Sequence, residues 1–489
     1  MRDVVPVSPR GVAQRGGSYP TMGGGASDAI NLGRLLAQTG NGWEPTGKVN
    51  YSGPLHLVLF GPNGSGKSTR ILVPNLLTMF GKSVVVIDPK GQLALMTAER
   101  RHRMGDDVRI IDPFGVVKEI AEARPRDYGY LLQHGLAESA GFNPLAALDP
   151  DSRTFFDDAA VIAEALIKIQ GNDPHWSESA QGLVTGLVMW ERKEAGRAGN
   201  LEHVRELLTQ ADEFESYLGE DGKLHKRQVA GLRVTAARMV ALGGFEISSL
   251  ASRFAAGHFT DELESIRSTA DTQTRWLLSQ PMRVDLKKPG VDFRLLKRGP
   301  RPMSVYVVLP ANYLETHSVW LRLVISEALR ASMQAGGRRT LLMLEEFAAL
   351  GHLSIVERLF GVTRDYGIQM WPIFQDLPQL KGLYRERWET LLGMAGAVQS
   401  FRTGDFTTAE WVSKRAGSDT VVAAGYNSHT GHAPGGANTG SGMNWQQVEV
   451  PFIRPELLFG LEAGWSLAWM AGQQAPIPLF SPIYSKSRV

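Results

Sequence analysis

The segment GPNGSGKST at residues 61–69 constrains the fold of this chain more than any other feature. It satisfies the pattern G-x-x-x-x-G-K-[ST], and it lies between an apolar run, LHLVLF at residues 55–60, and a stretch with helical spacing. A strand, a glycine-rich turn and a helix in this order place successive backbone N–H groups and a helix N-terminus around an anion. The alternative is a chance glycine-rich turn, which the flanking strand and helix patterns disfavour. The segment therefore predicts a P-loop that binds a nucleotide.

The residue types within the loop predict how the nucleotide is held. Lys67 is expected to reach the β- and γ-phosphates, and the Ser68 hydroxyl is expected to ligate Mg²⁺. Glycines allow the tight turn and the close approach of the backbone to the phosphates. The predicted nucleotide-binding residues are Gly61, Gly64, Ser65, Gly66, Lys67, Ser68 and Thr69.

The pattern of apolar residues along the rest of the chain predicts an α/β fold with an inserted domain. Short apolar runs of the kind that form buried parallel strands recur along the chain, at residues 83–88, 108–112, 303–310, 340–344, 368–375 and 396–401. Between about residues 150 and 285 only helical patterns occur. We predict an N-terminal arm at residues 1–50 with a short helix near 28–38, a P-loop domain formed by 51–150 and 286–489, and an all-α domain inserted at 151–285.

Composition excludes several classes of function. The chain has 489 residues, enough for two or three domains, and no cysteine, which excludes disulfides, cysteine-ligated metals and thiol catalysis. A net charge of +2 indicates no global attraction for nucleic acid, so any DNA contact must be local. No apolar run approaches the roughly 18–20 residues that span a bilayer, and we expect a cytoplasmic protein. The low-complexity residues 424–443 predict an exposed loop.

Two adjacent acids, Glu345 and Glu346, follow the apolar run TLLML at residues 340–344. A P-loop enzyme needs an acid associated with the metal ion and usually another that orients water. We predict that Glu345 is the metal-associated acid and that Glu346 is the catalytic base. The alternative is a solvated acidic pair that begins the next helix, where negative charge suits the helix dipole.

Eight separated motifs resemble those of the TraG/VirD4 family of type IV secretion coupling proteins and occur in the order of that family. They are GPNGSGKST, VVVIDPKGQLA, RIIDPFG, FNPLAAL, HWSESAQGLVTGL, LEEFAALG, RDYGIQMWPIFQDLPQLKGLY and TGDFTTAEWVSKRAG. The resemblance implies a RecA-like ATPase domain with an inserted all-α domain. It also implies hexameric rings that use ATP to deliver relaxase-bound single-stranded DNA, or effector proteins, to a secretion channel.

The resemblance also implies roles for further residues. Gln375 ends the strand after the acidic pair, where the family has a polar sensor of the γ-phosphate; the alternative is a solvated amide at a strand end. Arg364 is a candidate arginine finger acting across a ring interface, although helix-end arginines are often structural. Asp88 and Lys90 could support the phosphate site from a neighbouring strand end, but a plain turn explains DPKG almost as well.

This sequence departs from the family pattern in two ways. Family members usually begin with two transmembrane helices, which this chain lacks, so we expect membrane association only through a partner. Glu345 stands where the family has Asp, and Mg²⁺ demands near-ideal octahedral geometry. Two hypotheses therefore remain: a hexameric motor that translocates DNA or protein, and a nucleotide-gated recruitment platform that binds ATP, hydrolyses it slowly and docks on a membrane partner.

Overall fold

A computed structural model of the protein describes residues 28–40, 42–169, 174–218, 223–255, 260–333, 336–433 and 436–484. These residues form a mixed α/β fold, which confirms the predicted class. They divide into two compact units, each of which is described by itself. The first comprises the described residues up to Met79 and from Trp371 onwards, and the second comprises Phe80–Met370. The division does not test the predicted domain boundaries, which stay a prediction.

The strands of the described residues are numbered in chain order. They are β1 (Ile30–Thr39), β2 (Gly42–Tyr51), β3 (His56–Phe60), β4 (Ser83–Ile87), β5 (Asp107–Ile111), β6 (Glu213–Leu218), β7 (Leu224–Ala230), β8 (Met303–Val307), β9 (Thr340–Leu344), β10 (Ile368–Phe374), β11 (Ala395–Phe401), β12 (Ser418–Ala433), β13 (Gly436–Pro451), β14 (Trp465–Met470) and β15 (Ile477–Phe480).

The α-helices are numbered in the same way. They are α1 (Val73–Thr78), α2 (Gln92–Arg103), α3 (Val116–Ala123), α4 (Pro125–Gln133), α5 (Phe155–Leu166), α6 (His175–Glu194), α7 (Leu201–Thr209), α8 (Leu232–Leu242), α9 (Phe245–Ala255), α10 (Asp261–Thr274), α11 (Gln280–Leu286), α12 (Leu295–Arg298), α13 (Ser318–Ser332), α14 (Ser354–Leu359), α15 (Leu377–Tyr384), α16 (Trp388–Gly393), α17 (Phe406–Ala416) and α18 (Pro455–Phe459). In this part of the chain no helix combines the length and the apolar character that crossing a membrane requires.

The first unit contains a mixed sheet built around β3. This strand is wholly buried and pairs in parallel with β11 on one side and with the last residues of β10 on the other. Beyond β11 the sheet continues through antiparallel pairings with β14, β15, β1 and β2. The strand that leads into the glycine-rich loop is therefore central, and its neighbours hold the loop's first residue in place.

The second unit contains a parallel sheet in the order β9-β4-β8-β5. β4, β8 and β9 are buried at every position, as expected for parallel strands that are covered on both faces. Because parallel strands end at the same edge, the residues that follow β4 and β9 come together there. Asp88, which follows β4, and Glu345, which follows β9, lie at this edge.

The same type of turn follows two strands of this sheet, β4 and β5, which pair with opposite sides of β8. Asp88 follows β4 and begins the sequence DPKG, and Asp112 follows β5 and begins the sequence DPFG. In each turn the glycine, Gly91 or Gly115, has a positive φ (66° and 71°) and its N–H donates to the carbonyl of the aspartate. The aspartate Oδ2 then accepts a backbone N–H from the following helix, from Ala94 in one case and from Val117 in the other, each at 2.8 Å.

Residues 151–285, which were predicted to form an inserted all-α domain, are mainly helical but not wholly helical, so the all-α prediction was wrong in one part. β6 and β7 form an antiparallel hairpin within it. Exposed side chains make up most of this hairpin, so its strands lack the alternation of buried and exposed residues by which strands are recognised in a sequence.

Two local predictions were wrong. The short helix expected near residues 28–38 is strand β1, which buries Ile30, Leu32 and Leu36 on one side and pairs with β2 and β15. The exposed loop expected at 424–443 lies in the β12–β13 hairpin, whose two strands pair from Ser418 with Pro451 to Ala433 with Gly436; residues 434–435 lie outside the described residues. In both cases long-range backbone pairing, which leaves little trace in local composition, decides the structure.

Candidate functional site

The glycine-rich loop follows β3 and passes directly into a helical segment. Gly61 N–H donates to the carbonyl of Phe374 at 3.1 Å, so the start of the loop is tied to the end of β10. Gly64 and Gly66 have φ angles of 76° and 87°, which glycine adopts without strain. A π-helical turn at Ser68–Leu72 then leads into α1. The strand, turn and helix predicted around the P-loop are therefore confirmed.

Lys67 is buried beneath its own loop. Its ammonium group donates to the carbonyl of Gly61 at 2.5 Å and to that of Pro62 at 3.2 Å, and the residue is only 7% exposed. An ammonium group held by loop carbonyls beneath a glycine-rich turn is placed where a P-loop lysine contacts phosphate oxygens. The loop thus presents its lysine in the environment that phosphate binding requires.

Two observations test whether the loop fits a nucleotide's phosphates. The Ser65 hydroxyl is buried and, among the described residues, has no hydrogen-bond partner. A Cβ atom at Gly61 would lie 2.8 Å from Ser65 Oγ and 3.2 Å from the Cβ of Phe401, so only glycine leaves the loop this compact. An orphaned polar atom inside a tight glycine-lined turn matches the chemistry of a phosphate cradle.

Gln375 lies beside the P-loop in the same unit. It follows β10, in which Phe374 pairs with Phe60 of β3, so the residues just beyond, Gln375 and Gly61, leave adjacent strands together. The Gln375 N–H donates to the side-chain oxygen of Gln379 at 2.9 Å, and the residue is half-buried. Parallel-strand geometry thus brings together two elements that lie far apart in the sequence.

Sequence reasoning missed a small cavity beside the loop. It has a volume of about 120 Å³ and is lined by Gly64, Ser65 and Arg402, among others. Arg402 follows β11, which pairs in parallel with β3. The rule that ligands bind at the carboxyl ends of parallel strands would have identified Arg402, because it is the first residue beyond β11.

The acidic pair lies at the carboxyl edge of the parallel sheet in the second unit. Leu344, the last residue of β9, pairs with Ile87 of β4, so Glu345 and Asp88 follow neighbouring strand ends. Both glutamates are partly buried. Glu346 has φ 52° and ψ 42°, a left-handed conformation that costs a residue with a Cβ about 1–2 kcal/mol. Backbone strain of this kind is concentrated at functional sites, which favours a role for Glu346 beyond ending the strand.

Asp88 has a structural role at this edge. It is fully buried, its Oδ2 caps the first turn of α2, and burial, with a smaller contribution from the charge of Glu345, raises its pKa to about 7. Lys90 is exposed. The other oxygen, Asp88 Oδ1, is buried and has no hydrogen-bond partner among the described residues. The hypothesis that Asp88 and Lys90 support the phosphate site stays a prediction.

Replacing Asp88 with Asn is expected to remove part of the pH dependence of stability. Because the folded-state pKa lies above the unfolded value of 3.8, the folded protein holds the proton more tightly, and the free energy of unfolding falls as pH rises from about 4 to 7. Between pH 5 and pH 8 the wild type should lose roughly 2–3 kcal/mol that the Asn variant retains. Urea denaturation of both proteins at the two pH values measures this difference. An equal pH dependence would contradict a protonated Asp88.

Arg364 lies in the second unit in a short 3₁₀ segment, Thr363–Tyr366, and is exposed. An exposed arginine is available to a neighbouring molecule, as a finger acting in trans requires. Its role stays a prediction. Within the described residues no cluster of three or more His, Asp or Glu side chains could hold a metal ion.

Comparison with known proteins identifies the family to which the chain belongs. The chain matches the family model described as type IV secretory system conjugative DNA transfer over residues 25–124 and 134–484. It is 26% identical over 429 residues to the conjugal transfer protein TraG of Rhizobium radiobacter, an alignment that covers 83% of this chain and 60% of the relative. It is 25% identical over 417 residues to the type IV secretion system-coupling protein VirD4 of Bartonella quintana, covering 81% and 57%. The chain thus spans about 60% of the length of these curated relatives.

Solved structures show the same fold. The plasmid coupling protein TrwB in complex with ADP and Mg²⁺ superposes with a TM-score of 0.60 at 14% identity, covering 95% of this chain and 97% of that one. TrwB in complex with the ATP analogue ADPNP gives a TM-score of 0.58 at 16% identity, covering 88% and 86%. The predicted RecA-like P-loop fold with a helical domain is confirmed.

Proposed function

Since the chain belongs to the type IV secretory system conjugative DNA transfer family, we propose that it is an ATP-driven coupling protein. In this function it assembles as a hexameric ring, recruits single-stranded DNA with its bound relaxase, or protein substrates, and translocates them to the secretion channel. The observation that carries the proposal is the buried Lys67, whose ammonium group is held by loop carbonyls inside a glycine-lined turn. A polyphosphate is the ligand that such a loop fits.

Six of the predicted residues have specific tasks in this function. ATP with Mg²⁺ supplies the phosphoanhydride bond whose hydrolysis drives transport. Lys67 binds the β- and γ-phosphates, and Ser68 together with Glu345 holds the metal ion. Glu346 orients water and accepts its proton, Gln375 senses the γ-phosphate, and Arg364 acts on the nucleotide of a neighbouring protomer. Support comes from the motif spacing, the left-handed backbone at Glu346 and the position of Gln375 beside the loop.

The proposal also places the protein at the cytoplasmic side of the inner membrane. ATP is supplied there, and the family's DNA transfer function requires contact with secretion channel components. Attachment to the membrane would come through such a partner.

One observation favours a second candidate, the nucleotide-gated recruitment platform. Glu345 is one methylene longer than the Asp of the family pattern, and Mg²⁺ tolerates little distortion of its octahedral shell. A platform of this kind would bind ATP and dock substrates without translocating them.

Replacing Glu345 with Asp distinguishes these candidates. For a working motor we expect ATP turnover to change by less than about tenfold, or about 1.4 kcal/mol of barrier, because an acid that acts through coordinated water tolerates either side-chain length. Steady-state phosphate release at saturating ATP and Mg²⁺ measures the effect. An inactive wild type combined with an active Glu345→Asp variant would instead identify the platform.

Binding of single-stranded DNA tests the motor more broadly. We expect a hexamer to form with nucleotide in analytical ultracentrifugation. We also expect the affinity for an oligothymidylate to fall with salt at a log–log slope of about −0.7 for each phosphate contacted. A strict monomer with no DNA affinity at low salt would contradict the DNA-translocating motor.

A further inference from the structure

The second unit contains a cavity of about 520 Å³ whose function the P-loop does not explain. It lies among the end of α5, the residues that follow this helix, α13 and the segment at residues 352–358. Its size falls in the range of small-ligand sites, about 300–1,000 Å³. No residue of the P-loop or of the acidic pair lines it. The cavity is therefore a candidate for a separate ligand.

A buried arginine without a full set of partners lines this cavity. Arg322 of α13 is 5% exposed, and its Nη2 donates to the carbonyl of Ala165 at 3.1 Å. Its Nη1 is buried and has no hydrogen-bond partner among the described residues. Burial lowers the pKa of this guanidinium to about 10, so it remains charged at neutral pH. A buried cation without an acid is strongly unfavourable, which points to an anionic ligand that completes it.

Two further cations face the same cavity. Lys168 is half-buried, and its ammonium lies 3.7 Å from where a Cβ of Gly351 would be; its backbone is fixed by two hydrogen bonds with the side chain of Gln273. Arg358 is exposed and lies 3.9 Å from Glu164, a long ion pair. Glu164 is the acid in the lining, and His352 pairs with Glu357 at 2.7 Å. Three cations thus face one carboxylate, leaving two positive charges for a ligand.

The remaining wall of the cavity is apolar. It is formed by Val161, Ile167 and Leu353, among others. A site with a cationic end and an apolar wall favours an anion attached to an apolar or planar body over a bare inorganic ion. The guanidinium fork also matches the oxygens of a phosphate in a bidentate way.

We propose that this cavity binds a nucleoside monophosphate unit, with the phosphate on Arg322, Lys168 and Arg358 and the nucleoside against the apolar wall. A phosphate monoester carries close to two negative charges at neutral pH, which matches the two uncompensated positive charges. The unit has two chemical sources, a free nucleotide or the 5′-phosphorylated end of a single strand. The site does not depend on the proposed function.

The test measures binding of thymidine monophosphate with the P-loop saturated by a non-hydrolysable ATP analogue and Mg²⁺. Calorimetric titration of the wild type is expected to show thymidine monophosphate binding at one site other than the occupied P-loop. Arg322→Met should weaken it by at least about tenfold, because a charge-assisted contact is lost. Arg358→Gln should weaken it by about threefold, since this side chain is exposed. Arg126→Gln, at an exposed arginine of α4, is the matched control and should bind as the wild type does.

A structural role for Arg322 would give a different result. Without ligand, Arg322→Met is expected to keep or raise the melting temperature, because methionine replaces an uncompensated buried charge. If this variant does not fold, the double variant Lys168→Gln with Arg358→Gln provides the same comparison. Tighter binding of a 5′-phosphorylated oligothymidylate than of its unphosphorylated form, lost in the variant, would identify the strand end as a source. Absence of thymidine monophosphate binding, or equal binding by wild type and Arg322→Met, would overturn the proposal.

Discussion

Replacing Glu346 with Gln is expected to lower steady-state ATP turnover by about 10²- to 10⁴-fold while leaving the affinity for ATP nearly unchanged. An amide of the same shape keeps the side chain in place but cannot accept a proton from water. The left-handed backbone at this position, φ 52°, is as accessible to glutamine as to glutamate, so the turn after β9 should be preserved. Phosphate release measures turnover, and displacement of a fluorescent nucleotide measures affinity.

A glycine variant separates catalysis from backbone strain at this position. Glycine adopts positive φ without strain, so Glu346→Gly should raise the free energy of unfolding by about 1 kcal/mol. It should lose turnover to the same extent as the Gln variant, because both lack the carboxylate. If the glycine variant keeps its turnover, Glu346 serves only the turn, and its assignment as the base is wrong.

Replacing Lys67 with Ala is expected to reduce turnover by at least about 10²- to 10³-fold, the usual effect of removing one donor to a developing charge. In contrast to Glu346→Gln, it should also weaken ATP binding by at least about tenfold, because each hydrogen bond to a charged group contributes about 1.5–3 kcal/mol. Lys67 is buried under the loop, and residues 61–69 contain no second lysine or arginine that could replace it. The same two assays measure both quantities.

Lys90→Ala is the matched control for this substitution. Lys90 is an exposed lysine in the turn after β4, and the sequence hypothesis placed it near the phosphates. We expect turnover and affinity equal to the wild type, because its side chain lies in solvent. A loss as large as that of Lys67→Ala would instead support the hypothesis that the DPKG turn contacts the nucleotide.

The parts of the fold that the sequence predicted well are those in which local pattern and tertiary environment agree. The apolar runs at 83–87, 303–307 and 340–344 are buried parallel strands because no charged residue interrupts them, and the glycine-rich loop follows its strand as the motif requires. Strand β1 was mistaken for a helix because only its partners β2 and β15 select the extended form. The hairpins β6–β7 and β12–β13 were missed because polar and small residues carry little strand signal.

In the candidate site, too, some features could be predicted from local sequence and others depend on the tertiary structure. Lys67 and Ser68 were predicted from the spacing of the P-loop motif, and the acidic pair was predicted from its position at the end of an apolar run. Their roles stay predictions. The capping role of Asp88 and the left-handed conformation of Glu346 depend on distances and dihedral angles that no sequence pattern encodes. Arg322 was missed for a related reason: on a helical pattern an arginine is expected in solvent, and only the packing of α13 buries it.

ATP turnover of the wild type and of Lys67→Ala, each with and without single-stranded DNA, tests the central claim most directly. A motor should hydrolyse ATP, accelerate when DNA is added, and lose both the basal and the stimulated rate in the Lys67 variant. If the wild type binds ATP but neither hydrolyses it nor responds to DNA or to a candidate protein substrate, the motor is contradicted and the recruitment platform takes its place.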